Sequence, residues 1–112
     1  ASDVYKRQIN TVHQGMRLVA TNGGPYLVFS NMKTKVACKT GTSEVKVNGV
    51  KRNNGFLITF APYNHPEIAV SSVVELAGSG SETAEMTKDI INYWYQNNTD
   101  AKENQKVGTL LP

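Results

Sequence analysis

One cysteine, Cys38, is the whole thiol complement of this 112-residue chain. A single thiol closes no internal disulfide and builds no zinc site by itself, so neither a disulfide framework nor a structural zinc module is available. No run of about 18 apolar residues occurs, so nothing in the sequence reads as a membrane-crossing helix. The N-terminus carries no signal-peptide pattern. Charge of one sign is scarce in each half. Residues 1–60 hold nine Lys/Arg against two acids, and residues 61–112 hold three against seven. The basic half could face an anion, but its charges are scattered: only Lys6-Arg7 and Lys51-Arg52 are adjacent, and no basic patch is interleaved with aromatics. Nucleic acid is therefore not an expected partner. Hydrophobic content is 39%, above the disordered range, and the length suits one small domain that buries only a modest share of its surface.

The hydrophobic pattern gives the order of elements. Asp3-Val4-Tyr5-Lys6-Arg7-Gln8 back-translates to a transposon end used in sequencing libraries, so residues 1–8 are expected to be a sequencing or cloning remnant. Ile9, Val12, Met16 and Val19 then recur at helical spacing, and Asn22-Gly23-Gly24-Pro25 stops that helix. Residues 26–35 connect, with a short strand predicted at 26–29. Residues 36–47 read as a β-branched strand, Asn48-Gly49 as a type I′ turn, residues 55–61 as the return strand and residues 68–76 as a third, nearly continuous apolar strand covered on both faces. Ser79 and Glu82 have capping-box spacing. Met86, Ile90, Tyr93 and Trp94 mark a second amphipathic helix over 81–96, and both helical stripes are expected to be core faces. Residues 97–112 are expected to form a frayed polar tail. The fold class predicted is α/β of the α+β kind, with an antiparallel sheet flanked by helices.

Lys39-Thr40-Gly41-Thr42 is the stretch with chemical content. Strand alternation puts Thr40 and Thr42 on one face, with Lys39 starting on the other. Gly41 is expected to admit a close backbone approach. Such a strand offers two hydroxyls, an ammonium and edge N–H groups to an anionic acyl substrate. No Gly-Lys pair occurs, so a P-loop reading fails. His13 and His65 lack ligand company at metal spacing, and no metal site is expected. Glu75, Glu82 and Glu85 read as capping and solvated groups. Asn97-x-Thr99 fits a glycosylation sequon of little weight.

The run Val36-Ala37-Cys38-Lys39-Thr40-Gly41-Thr42-Ser43-Glu44 resembles the third signature of penicillin-binding transpeptidases and serine β-lactamases. Val12-x-x-Gly15-Met16-x-x-Val19 is similar to the helix that precedes it in high-molecular-mass transpeptidases. Asn54–Tyr63 and Pro66–Val70 are similar to their next two strands. The resemblance covers residues 9–96 and suggests the C-terminal piece of a class B enzyme of elongation or division type, part of the β-lactamase/transpeptidase-like three-layer fold. The chain departs from the pattern at Cys38, where Gly is usual, at Gly23-Gly24-Pro25, where Gly-Thr-Gly is common, and at Asn54-Gly55-Phe56, where His or Trp often stands.

The resemblance implies a D,D-transpeptidase that cross-links peptidoglycan through an acyl-serine and binds penicillin. Lys39 is then a catalytic-cleft cation. Thr40, Gly41 and Thr42 bind the substrate carboxylate, and the Thr42 backbone N–H forms half of an oxyanion hole. Substrates are D-Ala-D-Ala stem peptides and β-lactams. No cofactor is implied, the parent joins a cell-wall synthesis complex, and an N-terminal helix outside this sequence anchors it on the extracytoplasmic face of the bacterial membrane. The nucleophile is not in this chain. Ser30-Asn31-Met32-Lys33 matches Ser-x-x-Lys literally, but it falls in a connecting segment just before Lys39, out of the family order, and no Ser-x-Asn occurs. The fragment alone is expected to be inactive. The alternatives are a fragment of a serine β-lactamase or β-lactam-sensing receptor, and a non-catalytic binding module.

Overall fold

The computed structural model describes residues 2–76 and 83–110. The elements run α1 (Ser2–Asn22), α2 (Tyr26–Phe29), β1 (Ala37–Val47), β2 (Val50–Ala61), β3 (Ile68–Val74) and α3 (Ala84–Leu110). The sheet is a three-stranded antiparallel meander in the order β1-β2-β3.

Local chemistry sets most of these boundaries. α1 ends where the Gly23 N–H reaches the Val19 carbonyl at 2.9 Å. A Cβ at position 23 would lie 2.6 Å from that carbonyl oxygen, so the close approach requires glycine. Residues 26–29 are a helical turn and not the strand expected. Pro25, at φ −77° and ψ 2°, accepts hydrogen bonds at its carbonyl from Val28 and Phe29, at 3.0 and 3.1 Å. Its fixed φ opens a helix more readily than a strand. Asn48 and Gly49, at φ 51° and 78°, form the two-residue turn read from the sequence. β2 begins directly after it, five residues earlier than expected, because Val50 pairs with Val47. After the cis Ala61–Pro62 peptide, the Tyr63 N–H donates to the Lys35 carbonyl at 2.9 Å and ties the β2–β3 turn to the entrance of β1.

The two faces of the sheet differ. Cys38, Leu57, Thr59 and Ser72 share one face and are buried; Ala20, Phe29, Val36, Ala61, Ala84 and Ile91 complete the core. α3 packs on this face through Thr83, Ala84, Thr87 and Ile91. Of the residues predicted to be its core stripe, Met86, Ile90 and Tyr93 are exposed and Trp94 is half-buried. The seam explains the shift. Ser72 Oγ and Thr87 Oγ1 share a hydrogen bond at 2.9 Å, with the Leu57 carbonyl 3.4 Å from Ser72 Oγ and the Thr83 carbonyl 3.2 Å from Thr87 Oγ1 as further acceptors. Small hydroxyl residues let helix and sheet approach and satisfy one another, which turns the bulkier apolar side chains away.

The opposite face is only partly covered. His13 of α1 rests on Phe60, with ring centroids 4.9 Å apart, but Ile58 and Val73 are exposed. β3 is therefore covered on one face and not on both, because Ala69, Ser71 and Val73 all point to this open side. The α1 stripe engages only in its C-terminal half. Ile9 and Val12 are exposed while Met16 and Val19 are half-buried. α3 does not fray at residue 97; it continues to Leu110, through residues of good helix propensity such as Ala101, Lys102, Glu103 and Gln105. The Ser79–Glu82 capping box lies outside the described residues. The radius of gyration, 17.6 Å, exceeds the ~13 Å of a compact domain of this length, in keeping with extents of 69 × 38 × 22 Å.

Two substitutions test this packing. Thr59 is fully buried and its Oγ1 has no hydrogen-bond partner among the described residues. Thr59→Val should raise stability by about 1 kcal/mol, because an unpaired buried hydroxyl costs that order. Ile91→Ala should lower it by about 2–5 kcal/mol. Denaturant midpoints measure both; a fall on Thr59→Val, or no change on Ile91→Ala, contradicts the packing.

Candidate functional site

The Lys39–Thr42 segment lies on the outer strand, so one of its edges has no strand partner among the described residues. The two-residue turn decides which backbone groups face that edge. A two-residue hairpin loop is closed by a hydrogen-bonded pair, here Val47↔Val50. Antiparallel pairs then alternate, so odd-numbered residues of β1 bond to β2 and even-numbered ones direct both N–H and C=O outward. Thr40 and Thr42 are even-numbered, and their backbone groups point to the free edge. The Lys39 ammonium supports this: it donates to the Thr40 carbonyl at 2.8 Å, which an oxygen engaged with β2 would not readily accept.

Side chains follow the alternation read from the sequence. Thr40 and Thr42 pair with Leu57 and Gly55 and share a face. Lys39 pairs with Ile58 on the other face, and its exposed stem bends along the strand until the ammonium reaches the edge. Gly41 differs from expectation. A Cβ there would meet the Phe56 Cβ at 3.5 Å, an ordinary contact, so no neighbour among the described residues demands glycine. The result is one edge with an ammonium, an exposed Thr42, a half-buried Thr40 and outward N–H groups. Such an array can receive a carboxylate and polarise a carbonyl.

Arg17 fixes the start of this strand and was not singled out from the sequence. Its Nη1 donates to the Val36 carbonyl at 2.6 Å across 19 residues. The signal that could have found it is the polar line His13, Arg17, Thr21 at i, i+4, i+8 beside the apolar stripe of α1. Cys38, next to Lys39, is fully buried. Burial pushes its thiol up from 9.0 to about 11, while the charges of Lys39 and Arg17 pull it down. A thiol held neutral at pH 7 and out of solvent is a packing group, not a nucleophile.

The other candidates stay apart. Ser30 follows α2, and its hydroxyl donates to the Leu27 carbonyl at 3.2 Å. No hydrogen bond joins it to Lys33, and both are exposed. His65 is exposed, and among the described residues no three His, Cys, Asp or Glu side chains gather as a metal site. Glu75 and Glu85 are exposed, and Glu82 lies outside the described residues.

A sheet with helices on both faces and a Lys-Thr-Gly strand at its edge is the arrangement of the acyl-transferring transpeptidase class. The family described as penicillin binding protein transpeptidase domain matches residues 1–92, and the chain belongs to that family. Peptidoglycan D,D-transpeptidase MrdA of Escherichia coli is 28% identical over 114 residues, covering 88% of this chain and 18% of the relative. Penicillin-Binding Protein (PBP2) from Helicobacter pylori superposes with a TM-score of 0.72 at 28% identity, covering 81% of this chain and 17% of that one. The same protein in complex with MreC gives 0.72 at 29% identity, covering 81% and 18%. The chain thus spans under a fifth of the length of these relatives.

The raised thiol pKa has a consequence for stability. Between pH 9.0 and about 11 the unfolded thiol loses a proton that the folded one keeps, so stability is intact below this window and falls as pH rises through it. The alkaline loss of Tm should be smaller in Cys38→Ala than in the wild type. Equal losses contradict the assigned cause.

Proposed function

We propose that residues 9–96 are the C-terminal part of a peptidoglycan D,D-transpeptidase, and that the edge of β1 forms one wall of its acyl-transfer cleft. The single observation that carries this is the outward backbone of Thr40 and Thr42 on a Lys-Thr-Gly edge strand. The opposite wall and the nucleophilic serine come from parts of the parent protein outside this chain. The serine oxygen attacks the carbonyl between the two D-Ala residues of a stem peptide. The Thr42 N–H takes half of the oxyanion that develops, the C–N bond breaks, and the terminal D-Ala leaves as an amine. A neighbouring stem-peptide amine then attacks the ester carbon and frees the serine.

Each residue has a role in that sequence. Lys39 holds positive potential at the cleft and joins its proton network. The Thr40 and Thr42 hydroxyls grip the substrate carboxylate, and Gly41 keeps the intervening backbone open to the peptide. β-Lactams occupy the same place and leave a stable acyl-serine. No step needs a metal or organic cofactor. Without the serine, the 112-residue chain is inactive by itself.

The relatives' names favour transpeptidation over β-lactam hydrolysis or sensing. The Helicobacter PBP2–MreC complex favours a parent that works within a cell-wall assembly. The parent is anchored on the extracytoplasmic face of the membrane through a segment outside this chain.

The backbone role separates cleanly from the side-chain role. In the full-length protein, Thr42→Pro removes an N–H that faces the edge, where proline is tolerated. Penicillin acylation should fall by about 10²–10³-fold, the effect of losing one oxyanion donor. Thr42→Ala keeps the N–H and should lose far less. A Thr42→Pro variant that acylates like the wild type contradicts the reading, as does equal loss in both variants.

A further inference from the structure

A second polar site lies behind the strand, at the junction of α1, α2 and the segment entering β1. A cavity of about 180 Å³ opens there. Arg17 reaches it from α1, Tyr26 from α2, and Thr34 and Lys35 from the connecting segment, over apolar Ala20 and Phe29. No Asp or Glu lines it. Among the described residues the ion pair present is Lys51–Glu44, on the hairpin, so neither Arg17 nor Lys35 has a carboxylate partner there. Arg17 and Lys35 thus line one small cavity with no carboxylate beside them, which favours an anion there.

The donors match an anion and little else. Arg17 spends Nη1 on the Val36 carbonyl, which fixes the guanidinium and leaves its other N–H groups uncommitted. Thr34 is only 7% exposed, and its hydroxyl has no hydrogen-bond partner among the described residues. That hydroxyl is therefore uncommitted where Thr34 lines the cavity. The hydroxyls of Thr21 and Ser30 are already donated to the Arg17 and Leu27 carbonyls. What remain along the lining are the Arg17 guanidinium from α1 and, from the segment entering β1, the Thr34 hydroxyl and Lys35. A neutral ligand would leave both charges unbalanced. A planar carboxylate uses one fork of donors, whereas a tetrahedral oxyanion takes donors from several directions.

We propose that this cavity is a phosphate site, taking inorganic phosphate or the phosphate of a small phosphomonoester, held by Arg17, Thr34 and Lys35. It is distinct from the β1 edge and does not depend on the transpeptidase reading.

The test is equilibrium dialysis of the full-length protein against radiolabelled inorganic phosphate in about 0.15 M chloride, where exposed charges are screened. One saturable equivalent is expected. Thr34→Val and Lys35→Ala leave the Arg17 tether intact, and a retained thermal transition shows that they fold. Together they should weaken binding by about tenfold or more, as loss of charge-assisted hydrogen bonds predicts. Lys46→Ala, on the hairpin, should leave binding unchanged. Displacement of the label by glycerol phosphate identifies phosphomonoesters as ligands; displacement only by phosphate and sulfate identifies the free anion, and both support the site. Absence of saturable binding, or full binding by the folded Thr34→Val/Lys35→Ala protein, overturns it.

Discussion

The candidate site depends on a parity set seven residues away. Asn48 and Gly49 adopt positive φ, which makes Val47↔Val50 the closing pair of a two-residue loop. From that pair inward, every second residue of β1 must direct its amide outward. Thr40 and Thr42 fall on the outward set and Lys39 and Gly41 on the inward one. One residue more or fewer in the turn would exchange these sets and move every side chain to the other face. The turn thus fixes which threonine amides face the open edge.

The rest of the chain holds that edge in place. α3 docks on the far face through a seam of buried hydroxyls, with Ser72 and Thr87 2.9 Å apart. Arg17 grips the Val36 carbonyl and the Tyr63 N–H grips that of Lys35, so the strand is restrained just before Lys39 from two sides. The open face has the opposite character. Ile58 and Val73 are exposed on the sheet, and Ile9 and Val12 on the N-terminal half of α1 are exposed as well.

Much of this was legible in the sequence, for identifiable reasons. The Asn-Gly turn and the alternation of Phe56, Ile58 and Phe60 against Leu57 and Thr59 are local signals, and the strands follow them. The placement of Thr40 and Thr42 on one face needed only that alternation. The failures lie where tertiary packing decides. Residues 26–29 look β-prone, but Pro25 starts a helical turn. Met86, Ile90 and Tyr93 lie on the outer side of α3, while Thr87 meets Ser72 of the sheet and Ile91 enters the core. The burial of Cys38 and the reach of Arg17 to Val36 are long-range facts that spacing does not contain. Gly41 suggested a tight contact, but no neighbour within the described residues requires it.

Everything at the candidate site rests on the outward amide of Thr42, which a crystal structure of the full-length protein acylated by a penicillin would display. The acyl carbonyl oxygen should lie about 3 Å from the Thr42 nitrogen, with the Lys39 ammonium at the same edge. A Thr42 N–H directed into β2, or an acyl oxygen held by other donors, would contradict it.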